Sequence, residues 1–309
     1  MRKNALIICS YTCAIGAFGA FFRWLQNQIC YEVETRTMSS SVFDILIPLV
    51  IIAAAVAFYV LIKKHFESGL VPPAKLYEMF HGTTLIYPIA FWVLSAVMVL
   101  GGIITMMSVR FDPQATLYTI IGLLAIFSGV GFPLICTCAK HRYAPSFISI
   151  LMTIPVVMLC LWLVASYRQN ATIPSVSVYS IEILALCACI AAFFFTSGYA
   201  YGRVMPVECM LSTMFAAFMC FMTLSDARNV GLQFVICSCA GMLIVENWML
   251  ISNSHEKEAT NETTENAPAV EVEDSVLNPT VDDIIEESAA EDTTVVDEDE
   301  DVKIWKGNK

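Results

Sequence analysis

Residues 5–27 read ALIICSYTCAIGAFGAFFRWLQN, and the first eighteen of them carry no charge. A helix half-wetted by water would show polar residues all along one face. This segment has instead the length and composition of a helix solvated by lipid, which needs about 20 mostly apolar residues to cross ~30 Å of hydrocarbon. Arg23, Trp24, Gln26 and Asn27 then arrive together. Trp settles at the membrane–water interface and Arg reaches it by snorkelling, so the cluster marks where the chain leaves the bilayer. Arg2 and Lys3 have the basic character of a signal peptide. No small-x-small cleavage site follows, and the segment is read as a retained first helix.

Runs of the same kind continue down the chain. The expected spans are 5–23, 43–62, 84–107, 116–138, 146–167, 178–201, 207–224 and 230–252, of which 207–224 is the weakest, being short and rich in Met. Backbone polar groups find no water in lipid, so these runs must be helices, and short connections make neighbours antiparallel. The expected fold class is all-α: a polytopic bundle of about eight transmembrane helices over residues 1–252, followed by a disordered acidic tail over 253–309. Composition agrees. The 309 residues are 57% hydrophobic and 15% charged, with mean hydropathy +0.68, against about 25% charged in soluble domains.

Charge then sets orientation. Arg2, Lys3, Lys63, Lys64, Lys75, Lys140, Arg142, Arg203 and Lys257 fall on one side; Arg23, Arg36, Arg110, Arg168 and Arg228 fall on the other. Positively charged loops stay in the cytoplasm, which puts both termini there and the protein in a cell (inner) membrane. The net charge of −11 is carried by the tail. From His255 onward there are 18 acids and 4 bases, while the remainder is slightly basic. Nothing resembles the clustered basic face that nucleic acid requires.

Two stretches echo each other. RWLQN (23–27) precedes SVFDIL (41–46), and YRQN (167–170) precedes SVYSIEIL (177–184). GLLAIFSG (122–129) loosely matches GLQFVICS (231–238). These echoes suggest an internal repeat of two parallel four-helix halves, 1–140 and 141–252, with any site where they meet. Arg23, Asp44, Arg168 and Glu182 would then form a pseudo-symmetric set on the outer side. It reads either as a polar pocket or as ion pairs that fix helix register. Charges near span ends cost little compared with the bilayer centre.

Other residues carry weaker signals. Glu246, in IVENWML, is an acid inside the last span, and Arg203 reaches toward it from the same side; the pair is a candidate inner polar site. Glu208 follows Pro206 at a helix start, where a carboxylate suits the dipole. Cys136/Cys138, Cys187/Cys189 and Cys237/Cys239 are spaced i, i+2, which turns thiols to opposite sides of a helix, so they read as packing residues. None of the four His lies in mid-span, which argues against haem. No metal or cofactor is expected. Gly16 with Ala20, and Ala125 with Gly129, have the spacing that lets helices approach closely.

The tail is too polar to bury a core and should be disordered. It ends in DEDVKIWKGNK, where Ile304 and Trp305 stand among lysines as a candidate docking motif for a cytoplasmic protein partner.

The first helix and its Arg23-Trp24-Leu25-Gln26 exit resemble those of uncharacterised bacterial polytopic membrane proteins, a resemblance that implies a location in the bilayer and no activity. In helix count alone the chain is similar to quinol-oxidising anchor subunits of some bacterial reductases. Three functions are open. The first is a non-enzymatic scaffold or regulator acting through its tail. The second is a transporter of a small or lipophilic solute with a site between the halves. The third is a quinone-interacting anchor using a polar pair such as Arg23/Glu182 or Arg203/Glu246. An enzyme acting alone is not expected, because no nucleophile–base set or phosphate loop is present. Partners beyond the lipid bilayer, and oligomeric state, are not legible.

Overall fold

The computed structural model describes residues 2–32, 37–38, 42–67, 70–73, 75–80, 86–108, 115–141, 145–171 and 176–256. The helices are α1 (Arg2–Cys30), α2 (Phe43–Glu67), the one-turn α3 (Leu76–Met79), α4 (Ile86–Ser108), α5 (Ala115–His141), α6 (Pro145–Asn170), α7 (Ser180–Gly198), α8 (Pro206–Thr223) and α9 (Val230–Ser252). Eight of them, all but α3, are long and apolar enough to cross a membrane. The chain is therefore an all-α, multi-pass membrane protein. Two-residue antiparallel ladders join Tyr31–Glu32 to Thr37–Met38, and Leu70–Val71 to His255–Glu256. The tail with Ile304 and Trp305 lies outside the described residues.

α1, α4, α6 and α8 end on one face of the bundle, here the distal face; the N-terminus and the end of α9 lie on the other. Each helix from α4 to α9 packs on the next, and α9 returns to pack on α4, so six helices close into a ring. α1 lies against α8 and α9, and α2 covers α1 and α8 from outside. Lipid gives no hydrophobic force between helices, so close packing and interhelical hydrogen bonds must hold the ring. Both converge on α4. A Cβ on Gly231 would sit 2.4 Å from the Thr105 backbone nitrogen, so α9 and α4 cross in backbone contact. The Ser238 hydroxyl donates to the Leu94 carbonyl at 2.7 Å, and the Ser95 hydroxyl to the Gly129 carbonyl at 2.5 Å. The ring interior is filled below by Trp162 and by Phe91, Phe132 and Phe193, whose rings lie 6.4 and 5.7 Å apart in sequence.

The weak span 206–223 is one of the most enclosed, walled in by α1, α2, α7 and α9. A helix shielded by protein need not be as greasy as one facing lipid, which accounts for its lower hydropathy. α7 packs between α6 and α8, whereas α2, its expected counterpart, leans mainly on α1 and α8. Gly122 and Gly231 both meet α4, at the carbonyl of Gly102 and of Gly101. Their similar surroundings come from one shared partner helix.

Candidate functional site

α1 runs to Cys30, seven residues past the expected exit at 23. Its polar end continues as helix, with Arg23 and Asn27 finding partners in the α8–α9 turn, residues 224–229. Arg23 is only 1% exposed. Its Nε donates to Asp226 Oδ1 at 2.8 Å, Nη1 to Gln26 Oε1 at 2.7 Å and to the Ser177 carbonyl at 3.4 Å, and Nη2 to the Val178 carbonyl at 2.9 Å. Asn27 Nδ2 donates to the Ser225 carbonyl and to Asp226 Oδ1, both at 3.1 Å, and the Ser225 hydroxyl donates back to the Ala20 carbonyl at 2.9 Å. An Arg has five N–H donors, and here four hydrogen bonds are made. Arg23 is a clamp joining α1, the segment before α7 and the α8–α9 turn.

This corrects the expected pairing: the carboxylate that Arg23 binds is Asp226, not Asp44 or Glu182. Arg23 and Asp44 do line one distal-face cavity of about 270 Å³, with Gln26, Ser177 and Ser180. Glu182 lies in a second cavity of about 160 Å³, and Arg168 is exposed and lines neither. The four residues do not form one set.

The second cavity sits at the distal mouth of the ring, lined by Tyr118 of α5, Gln169 and Asn170 of α6, Glu182 of α7, and Arg228 and Asn229 before α9. The Tyr118 hydroxyl hydrogen-bonds Gln169 Oε1, bracing one wall. Asn229 Oδ1 accepts from the Gly231 amide at 2.9 Å and caps α9. Arg228 has a side chain 5% exposed; its Nη2 donates to the Thr223 carbonyl at 2.9 Å and lies 3.6 Å from Asp226 Oδ2. Its Nε and Nη1 are buried and have no hydrogen-bond partner. Glu182 is half-buried and makes no hydrogen bond or ion pair among the described residues. A guanidinium with idle donors and a carboxylate therefore share one small polar chamber, beside a clamp whose own charges are matched.

On the opposite face Arg203 and Glu246 are not brought together. Glu246 is 1% exposed and accepts from the Thr196 hydroxyl at 3.2 Å. Arg203 is exposed beside an apolar groove between α6 and α7 with Phe194, Phe195 and Tyr201. Glu208 is exposed at the start of α8. Neither polar pair suggested for a quinone site is formed.

Asp226 and Arg228 were not among the expected site residues. In sequence they are two charges in the short turn SDARN between apolar runs, and Arg228 served only to mark a side of the membrane. The signal that could have found them is the density of polar groups in so short a connection. No protein-family model, curated protein or solved structure matches the chain.

Proposed function

We propose that this membrane protein is a transporter of small polar solutes, loaded from the distal face, with the chamber between α5, α6, α7 and α9 as its entry site. The observation that supports this most is Arg228: a cation with a nearly buried side chain and two nitrogens lacking acceptors among the described residues, in the lining of a cavity at the mouth of a helix ring. An unmade hydrogen bond on a buried charged group is costly, and a ligand acceptor would remove that cost. Trp162, Phe132 and Phe193 are buried among the ring helices, which favours a site reached from the distal face. The distribution of Lys favours the distal face being outside. The test is solute uptake into liposomes carrying the purified protein. Uptake that is saturable and lost in Arg228→Gln supports the reading; liposomes no more permeable than empty ones to amino acids, sugars and organic acids overturn it.

A second reading is a scaffold acting through the acidic tail, favoured by the 18 acids after residue 254 and by the Ile304–Trp305 pair among lysines. Its test is affinity capture with the full chain and with Ile304→Ala/Trp305→Ala; a partner lost only in the variant supports it.

A further inference from the structure

The chamber's chemistry narrows the solute. The chamber is small, about 160 Å³. Two complementary groups line it. Arg228 offers donors and a positive charge, held from behind by Thr223 and Asp226. Glu182 offers a carboxylate from the first turn of α7, in the same lining. Asp226 is shared between Arg23 and Arg228, so one carboxylate stands behind two cations. Ala227 and Leu232 add apolar lining. A simple anion would satisfy Arg228 and leave Glu182 repelling it. A simple cation would face the reverse problem. A molecule carrying both charges on adjacent atoms meets both groups.

Resting on the transport reading above, we infer that the chamber takes a small zwitterion of the α-amino acid type, with its carboxylate on Arg228 and its ammonium on Glu182. Asn170 and the Gln169–Tyr118 pair stand beside it as neutral hydrogen-bonding groups.

The experiment screens the twenty common amino acids for thermal stabilisation of the full-length protein in detergent. Binding constants are then measured for the best responder, its carboxamide and its deaminated acid. The expected result is a small neutral amino acid binding at least tenfold more tightly than either analogue. Arg228→Gln and Glu182→Gln should each weaken it at least tenfold, and Glu182→Gln should not weaken the deaminated acid. Glu182 is half-exposed, so that variant serves if Arg228→Gln fails to fold. Equal binding of the amino acid and the deaminated acid, unaffected by Glu182→Gln, overturns the zwitterion while leaving a transported anion. Response to sugars or other uncharged solutes alone overturns the zwitterion and keeps transport. Response to no solute, with no uptake, overturns both.

Discussion

Arg23 and Arg228 stand on either side of Asp226, and the same residue type serves two purposes there. Arg23 has its donors committed, so it should behave as a structural group. Arg23→Ala leaves Asp226 with Asn27 and Arg228 but takes the donor from two carbonyls and from Gln26, and each unsatisfied buried group costs about 1–3 kcal/mol. The expected outcome is a large loss of thermal stability in detergent. Arg23→Lys should recover little of it, because one ammonium cannot reach acceptors spread around a planar fork. Arg228 has donors to spare, and its replacement should change ligand response more than melting temperature. Glu246 gives a third contrast. Glu246→Gln keeps an oxygen for the Thr196 hydroxyl and removes an ionisable group from an enclosed site, so the variant should melt no lower than the parent. Of these residues the sequence made Arg23 and Glu246 conspicuous, because a charge beside or within an apolar run stands out. It could not show Asp226, since a turn acid has the same appearance whether it faces water or a buried guanidinium.

Among the helices, the reading of periodicity and length was nearly complete: every expected span overlaps a helix, and boundaries moved where a tertiary partner extended one. α1 is the clearest case, prolonged by the clamp on its last two turns. The segments 122–129 and 231–238 each present a glycine to α4. This makes α4 the helix most sensitive to small changes in its neighbours. Gly231→Ala would drive a methyl into the α4 backbone, and overpacking of that kind costs about 1–3 kcal/mol. Gly16→Ala meets the Phe221 ring at 2.5 Å, a side chain able to turn aside, so its cost should be smaller. Comparing the two melting temperatures tests whether the α4–α9 crossing is rigid. Ser238→Ala should cost less than Gly231→Ala, since interhelical hydrogen bonds in membranes average roughly 0.6 kcal/mol.

For the whole molecule, an even number of spans among the described residues returns the chain to the face where it began. Reporters placed before residue 5 and after residue 256 should therefore report the same compartment, and a reporter in 224–229 the other. Disagreement would mean that one apolar helix does not cross. The ring itself was not legible, because closure depends on α9 meeting α4, a contact between segments whose sequences carry no mutual mark. The Arg23 clamp has a consequence for the order of events in the living cell. Its two halves are separated by 203 positions along the chain. At ~5–20 residues per second, a ribosome needs about 10–40 s to travel from one to the other. Throughout that interval the newly made first helix holds an uncompensated cation at the membrane surface. It stays open to whatever surveys unfinished proteins until the last hairpin arrives and closes over it.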